Sequence, residues 1–180
     1  MKIFKRLFLL TCFGHLLISC SSEPKEELVL VTTARINCED TTSPYFKLKG
    51  DAHGGNFYTR ADSVNQFGAA WVFTIPDSLM LTAFKVYING WARTEVPTTK
   101  NSIAVSVQEG ANTPFWSEIL LNKHMSEKNK WQNVIDSLYI PADIFNKPGL
   151  SLRVFPFCGN HVEGADYDDI SITIKRVIVK

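Results

Sequence analysis

The chain has 180 residues, 45% of them hydrophobic and 21% charged, with no long polar or repetitive tract, which excludes extensive disorder and fibrous structure. Its 19 basic residues face 18 acidic ones, and without Lys2, Lys5 and Arg6 the balance is 16 to 18. A near-neutral chain with no basic stripe lacks the electrostatic footprint that nucleic acid requires, so that class of partner is excluded.

The first element is a leader. Met1-Lys2-Ile3-Phe4-Lys5-Arg6 is basic, and residues 7–18 are mostly apolar but interrupted by Thr11, Gly14 and His15. That is the shape of a secretory signal peptide, and it is too short for a membrane span, which needs about 20 apolar residues. Leu17-Ile18-Ser19-Cys20 resembles the lipobox of bacterial lipoproteins, in which a small residue precedes a cysteine that becomes the lipidated N-terminus. The resemblance implies a signal peptide at 1–19, acylation at Cys20, and a lipid-anchored protein of the bacterial envelope, in the outer membrane. The alternative is an ordinary signal peptide with a chance cysteine at its end. Residues 20–27, Cys-Ser-Ser-Glu-Pro-Lys-Glu-Glu, read as a polar tether ahead of a domain at 28–180. The acidic cluster in this tether is similar to the surface-export signal of Bacteroidota lipoproteins; a plain solvated tether is the other reading.

From residue 28 onward, apolar and polar residues alternate in segments punctuated by Gly, Pro, Asn and Asp. Strands are expected at 28–35, 45–49, 56–60, 66–75, 81–93, 102–109, 116–121, 132–140, 150–157 and 168–179, with one helical turn at 141–146. Val, Ile, Thr, Phe, Tyr and Trp dominate these segments, as half-buried pleated surfaces prefer. About ten strands without an internal repeat imply an all-β, two-sheet antiparallel sandwich of jelly-roll type.

With Cys12 in the leader and Cys20 acylated, Cys38 and Cys158 remain. In an exported protein one such pair suits a single disulfide; two buried thiols are the alternative.

No catalytic constellation stands out. There is no G-x-S-x-G, no H-E-x-x-H and no glycine-rich phosphate loop, while His53, His124 and His161 are scattered through loop-like segments. Glu109 and Glu118 lie on or beside strands, where a solvated face is the simpler role. The expectation is a protein with no catalytic residues.

Recognition is expected on a sheet face. In strand 81–93, Thr82, Phe84, Val86 and Ile88 form a core face, and Lys85, Tyr87, Asn89, Trp91 and Arg93 point the other way. Aromatic rings interleaved with hydrogen-bonding side chains suit a sugar, and Tyr87 and Trp91 would stand about 13 Å apart along the strand. In strand 150–157, Leu152 and Val154 face the core, with Ser151, Arg153 and Phe155 opposite; Ser106 and Gln108 play the same part in the strand between. If these strands share a sheet, Tyr87, Asn89, Trp91, Arg153 and Phe155 form a glycan platform. Alternatively, the outward aromatics pack beneath loops. Trp71 and Trp116 are assigned to the core, with Phe115 and Trp116 next in line as ligand contacts.

Three phrases in order carry a family resemblance: Asp51-Ala52-His53-Gly54-Gly55-Asn56-Phe57-Tyr58; Trp131-Gln132-Asn133-Val134 leading to Leu138-Tyr139-Ile140-Pro141; and Tyr167-Asp168-Asp169-Ile170-Ser171-Ile172. Together they resemble the jelly-roll carbohydrate-binding modules of families 4 and 22 and their galactose-binding-like relatives. The resemblance implies a glycan ligand and a structural Ca²⁺ near the chain ends, held here by Glu39, Asp51 and Asp169, with Asp168 as a substitute. Gly54 stands where the family usually has Ser, and the family's opening motif is reduced to Asn37-Cys38-Glu39-Asp40. Otherwise Asp166, Asp168 and Asp169 are a solvated turn. The functional expectation is a membrane-anchored glycan-binding module; the alternative is an envelope adhesion or assembly module that binds a protein partner through a strand edge or loops.

Overall fold

Period-two alternation becomes strand wherever each face has something to pack against. The computed structural model describes residues 25–40, 47–159 and 163–180. The expected signal peptide, Cys20, most of the tether, Tyr45 and His161 lie outside the described residues. Ten strands form: β1 (Glu26–Ile36), β2 (Leu48–Lys49), β3 (Phe57–Ala61), β4 (Trp71–Thr74), β5 (Ala83–Thr94), β6 (Ser102–Glu109), β7 (Asn112–Leu120), β8 (Gln132–Ile140), β9 (Ser151–Phe157) and β10 (Ala165–Val179). The expected helical turn is a 3₁₀ turn at Ala142–Phe145. β1 begins inside the expected tether, because Glu26 and Glu27 pair with Val179 and Ile178. The strand expected at 66–75 shortens to four residues.

The strands make a two-sheet antiparallel β-sandwich. One sheet runs β2-β3-β10-β5-β8, and β1 also pairs with the long strand β10. The other runs β4-β9-β6-β7. Each of the steps β3 to β4, β4 to β5, β5 to β6, β7 to β8, β8 to β9 and β9 to β10 crosses from one sheet to the other, the jelly-roll pattern. β10 is bulged against β5 between Asp168 and Ser171, and Asp169 there takes a left-handed φ of 51°. Gly90 of β5 lies against this bulge. A Cβ there would come within 3.1 Å of the Ile170 Cα, so a larger residue would need the bulge to give by a few tenths of an ångström.

The core lies between the sheets. Phe84, Val86, Ile88 and Ala92 of β5 and Ile170, Ile172 and Ile174 of β10 belong to one buried cluster with Ile103, Val105 and Val107 of β6 and Leu152 and Val154 of β9. Burying each large side chain contributes about 1.5–3 kcal/mol. Phe145 from the 3₁₀ turn packs edge-on against Phe84, ring centroids 4.7 Å apart. The fully buried Tyr167 of β10 donates its hydroxyl to the Ser102 carbonyl of β6 at 3.0 Å, linking the sheets by a hydrogen bond. Burial raises the pKa of that phenol well above its ordinary value.

The expected Cys38–Cys158 bridge is corrected. The two are separate buried thiols. Cys38 follows β1 at the end of the six-stranded sheet, while Cys158 follows β9 and sits 3.5 Å from the Glu163 carbonyl. Burial, reinforced by the nearby Asp168 carboxylate, pushes the Cys38 thiol up to about 12.

Candidate functional site

The faces of β5 fall as the alternation dictates. Phe84, Val86 and Ile88 are buried, and Lys85, Tyr87, Asn89, Trp91 and Arg93 turn outward. The shared platform is nevertheless corrected, because β5 belongs to the six-stranded sheet and β6 and β9 to the four-stranded one. Tyr87, Asn89 and Trp91 therefore lie on one outer face of the sandwich, and Arg153 and Phe155 on the other.

The outer face of β5 is already occupied. His53 lies on Trp91 with ring centroids 3.8 Å apart and planes 13° from parallel, and Trp131 meets His53 edge-on. Arg93 stacks over Trp131 at 4.6 Å and pairs with both Asp51 and Asp166. Tyr87 has the ammonium groups of Lys85 and Lys175 over its ring, and Asn89 accepts a hydrogen bond from Asn133. The loop carrying the first family-like phrase thus folds back over Trp91, while Tyr87 is flanked by two lysines.

The cation candidates are partly regrouped. Asp51 is 89% exposed at its side chain and directs its carboxylate to Arg93, away from the expected set. Glu39 instead accepts the backbone N–H groups of Asn56 and Phe57, and Asp168 accepts that of Gly54. A Cβ on Gly54 would stand 2.6 Å from the Asp169 carboxylate, and one on Gly55 2.4 Å from that of Glu39. His53, Asp168 and Asp169 bring ligand atoms within 4.8 Å of one another. Asp169 pairs with Arg35 at 2.6 Å and His53 at 3.1 Å. Burial raises the pKa of Asp168, and Asp169 beside it acts in the same direction. Of the expected set only Asp169, with its substitute Asp168, belongs to this group, in which two carboxylates and an imidazole are donors of the kind a divalent cation takes; Glu39 and Asp51 lie outside it.

The four-stranded sheet has a different outer face. Across it, Val72, Arg153, Ser106 and Trp116 stand in one cross-strand row, and Phe155, Ala104 and Glu118 in the next. The central strand β6 turns only Ser102, Ala104 and Ser106 outward along this stretch, and all three are fully buried. Larger rings from the flanking segments cover them. Trp116 meets Phe155 at 5.6 Å and Phe157 at 5.0 Å, and Phe67 meets the same two rings at 5.6 and 5.4 Å. Beside this cluster opens a cleft of about 400 Å³ whose lining includes Phe67, Gln108, Thr113, Trp116, Arg153 and Phe155.

Trp116 is 40% exposed, which corrects its assignment to the core. Its indole N–H donates to Glu118 at 2.7 Å, fixing the ring at the cleft rim. Strict alternation through Phe115, Ser117 and Ile119 would have placed Trp116 outward with Glu118; size and hydrophobicity alone pointed inward. Phe155 is buried as a sequence reading of its outward face would not suggest, because Phe67 and Trp116 cover it. Phe67 carried no sequence signal for this site, since residue 67 reaches β9 only through an isolated bridge to Phe157. Trp71, by contrast, packs against the core as expected.

No protein-family model matches the chain, and no curated protein matches it. Among solved structures it is similar to a family 16 carbohydrate-binding module, at 14% identity over 74% of this chain and 87% of that one, with a TM-score of 0.39. It is similar to the C-terminal family 6 carbohydrate-binding module of a marine laminarinase from Zobellia galactanivorans, at 12% identity over 79% and 99%, TM-score 0.39. A third similar structure is the K3 cleaved adhesin domain of Lys-gingipain from Porphyromonas gingivalis, at 13% identity over 81% and 92%, TM-score 0.35.

Proposed function

We propose that the protein is a non-catalytic glycan-binding module, lipid-anchored through Cys20 in a bacterial envelope, that takes sugar on the outer face of its four-stranded sheet. One observation carries this reading: the exposed indole of Trp116, fixed by Glu118, stands at the rim of a 400 Å³ cleft that also holds Arg153 and Gln108. A pyranose has an apolar face that stacks on such a ring and a belt of hydroxyls that seeks such donors and acceptors. The ligand contacts are then Trp116, Phe155, Arg153 and Gln108, and Tyr87, Asn89 and Trp91 have no part in binding. A structural Ca²⁺ belongs to the same reading, with Asp168 and Asp169 as its protein ligands and its role confined to stiffening the loop after β2.

The test is affinity electrophoresis and polysaccharide pull-down with the mature chain and its Trp116→Ala variant. Loss of one aromatic anchor should weaken binding about 10- to 100-fold, with the melting temperature nearly unchanged. If no polysaccharide binds, or if the folded variant binds as well as the parent, the reading fails.

A further inference from the structure

The cleft contains an arginine that the fold leaves without a counter-charge. Arg35 pairs with Asp169, Arg60 with Asp62 and Asp166, and Arg93 with Asp51 and Asp166. Arg153 has no carboxylate partner among the described residues, and its Nε is buried without a hydrogen-bond acceptor. Directly across from it on β6, the Ser106 hydroxyl is likewise buried and unpartnered. Buried polar groups without partners are uncommon and cost stability unless something meets them. The half-buried Arg153 side chain lines the open cleft, where a ligand supplies the missing counter-charge. The carboxylate of Glu118, on the same face, already accepts the Trp116 indole N–H.

Resting on the glycan-binding reading above, we propose that the sugar bound here is a uronic acid, its carboxylate received by Arg153. A guanidinium offers planar, paired N–H donors that match a carboxylate. Neighbouring strands are about 4.8 Å apart, so Arg153 and Trp116, two strands apart in the row through Ser106, are about 10 Å apart at the backbone. That spacing accommodates one pyranose ring stacked toward the indole with its C5 carboxylate directed to Arg153. Gln108 and Thr113 remain for ring hydroxyls. A neutral sugar satisfies the stacking but leaves the guanidinium without its counter-charge.

The experiment is isothermal titration with uronate oligosaccharides and with the same oligosaccharides after reduction of each carboxyl to a hydroxymethyl group, which keeps linkage and length. The native chain should bind the acid form about 10- to 100-fold more tightly, the range of a charge-assisted hydrogen bond. The preference should shrink as salt rises. Arg153→Gln should abolish it, the acid form then binding no more tightly than its reduced counterpart, and Arg153→Lys, which keeps charge without the planar fork, should restore only part. Thermal melts of both variants establish that they fold. Equal binding of the acid and reduced forms overturns the proposal and leaves the glycan-binding reading standing. A sulfated neutral oligosaccharide that outbinds the uronate also overturns it. Failure of every acidic and neutral oligosaccharide to bind overturns both.

Discussion

The His53 imidazole lies nearly parallel to the Trp91 indole, 3.8 Å from it. This stack converts what would be an exposed aromatic platform on β5 into a packed joint between the loop after β2 and the six-stranded sheet. Trp91→Ala should therefore leave glycan affinity within about twofold of the parent while costing about 1–3 kcal/mol of stability, from lost stacking and buried area. Chemical denaturation and titration on the same samples check this. A folded variant that no longer binds would return the site to the six-stranded sheet.

The two thiols make a second prediction. Cys38 is buried, and its thiol is pushed up to about 12, so almost no thiolate exists near neutral pH to react. Alkylation of the native protein under mildly basic conditions should leave Cys38 unmodified, and unfolding in denaturant without reductant should expose both Cys38 and Cys158 to the reagent. Intact mass after each step reads the result. A mass showing that no thiol reacts without reductant would demonstrate a bridge and sink this account.

Asp62 gives the pH dependence a definite sign. The N–H groups of Asn65 and Val64, with Arg60 beside them, hold its carboxyl below the usual 3.8, while partial burial works the other way. A depressed folded-state value means that this carboxylate stabilises the fold above pH 3.8, and that the contribution disappears as pH falls through the lower folded value. Asp62→Ala should cost about 1 kcal/mol near neutral pH, comparable to losing a helix cap, with the difference closing in strong acid. Urea titrations at the two pH values check it; a penalty independent of pH would be contrary to this origin.

The regrouped carboxylates make the fourth. When Ca²⁺ exceeds its Kd about a hundredfold, linkage adds about 2.7 kcal/mol to stability. The melting temperature should rise on adding Ca²⁺ and fall again with chelator. Asp168→Asn and Asp169→Asn should remove the increment, and Asp51→Asn should leave it in place. Indifference to chelator in the parent chain would rule the cation out.

Much of this protein was legible locally. The alternation in the β5 and β9 segments assigned the inward residues Phe84, Val86, Ile88, Leu152 and Val154 correctly, because a side chain's face depends only on the parity of its position along an extended backbone. The positions of the strands followed for the same reason, with ends set by tertiary pairing. The order of strands within and between sheets did not follow. Whether β5 and β9 lie side by side depends on hydrogen bonds between residues distant in sequence, and nothing in either segment encodes its partner. The covering of Trp91 by His53 and the row joining Trp116, Ser106 and Arg153 arise only once that order is set. The sequence by itself thus determined which residues each strand presents outward, and tertiary pairing decided which of them share a surface.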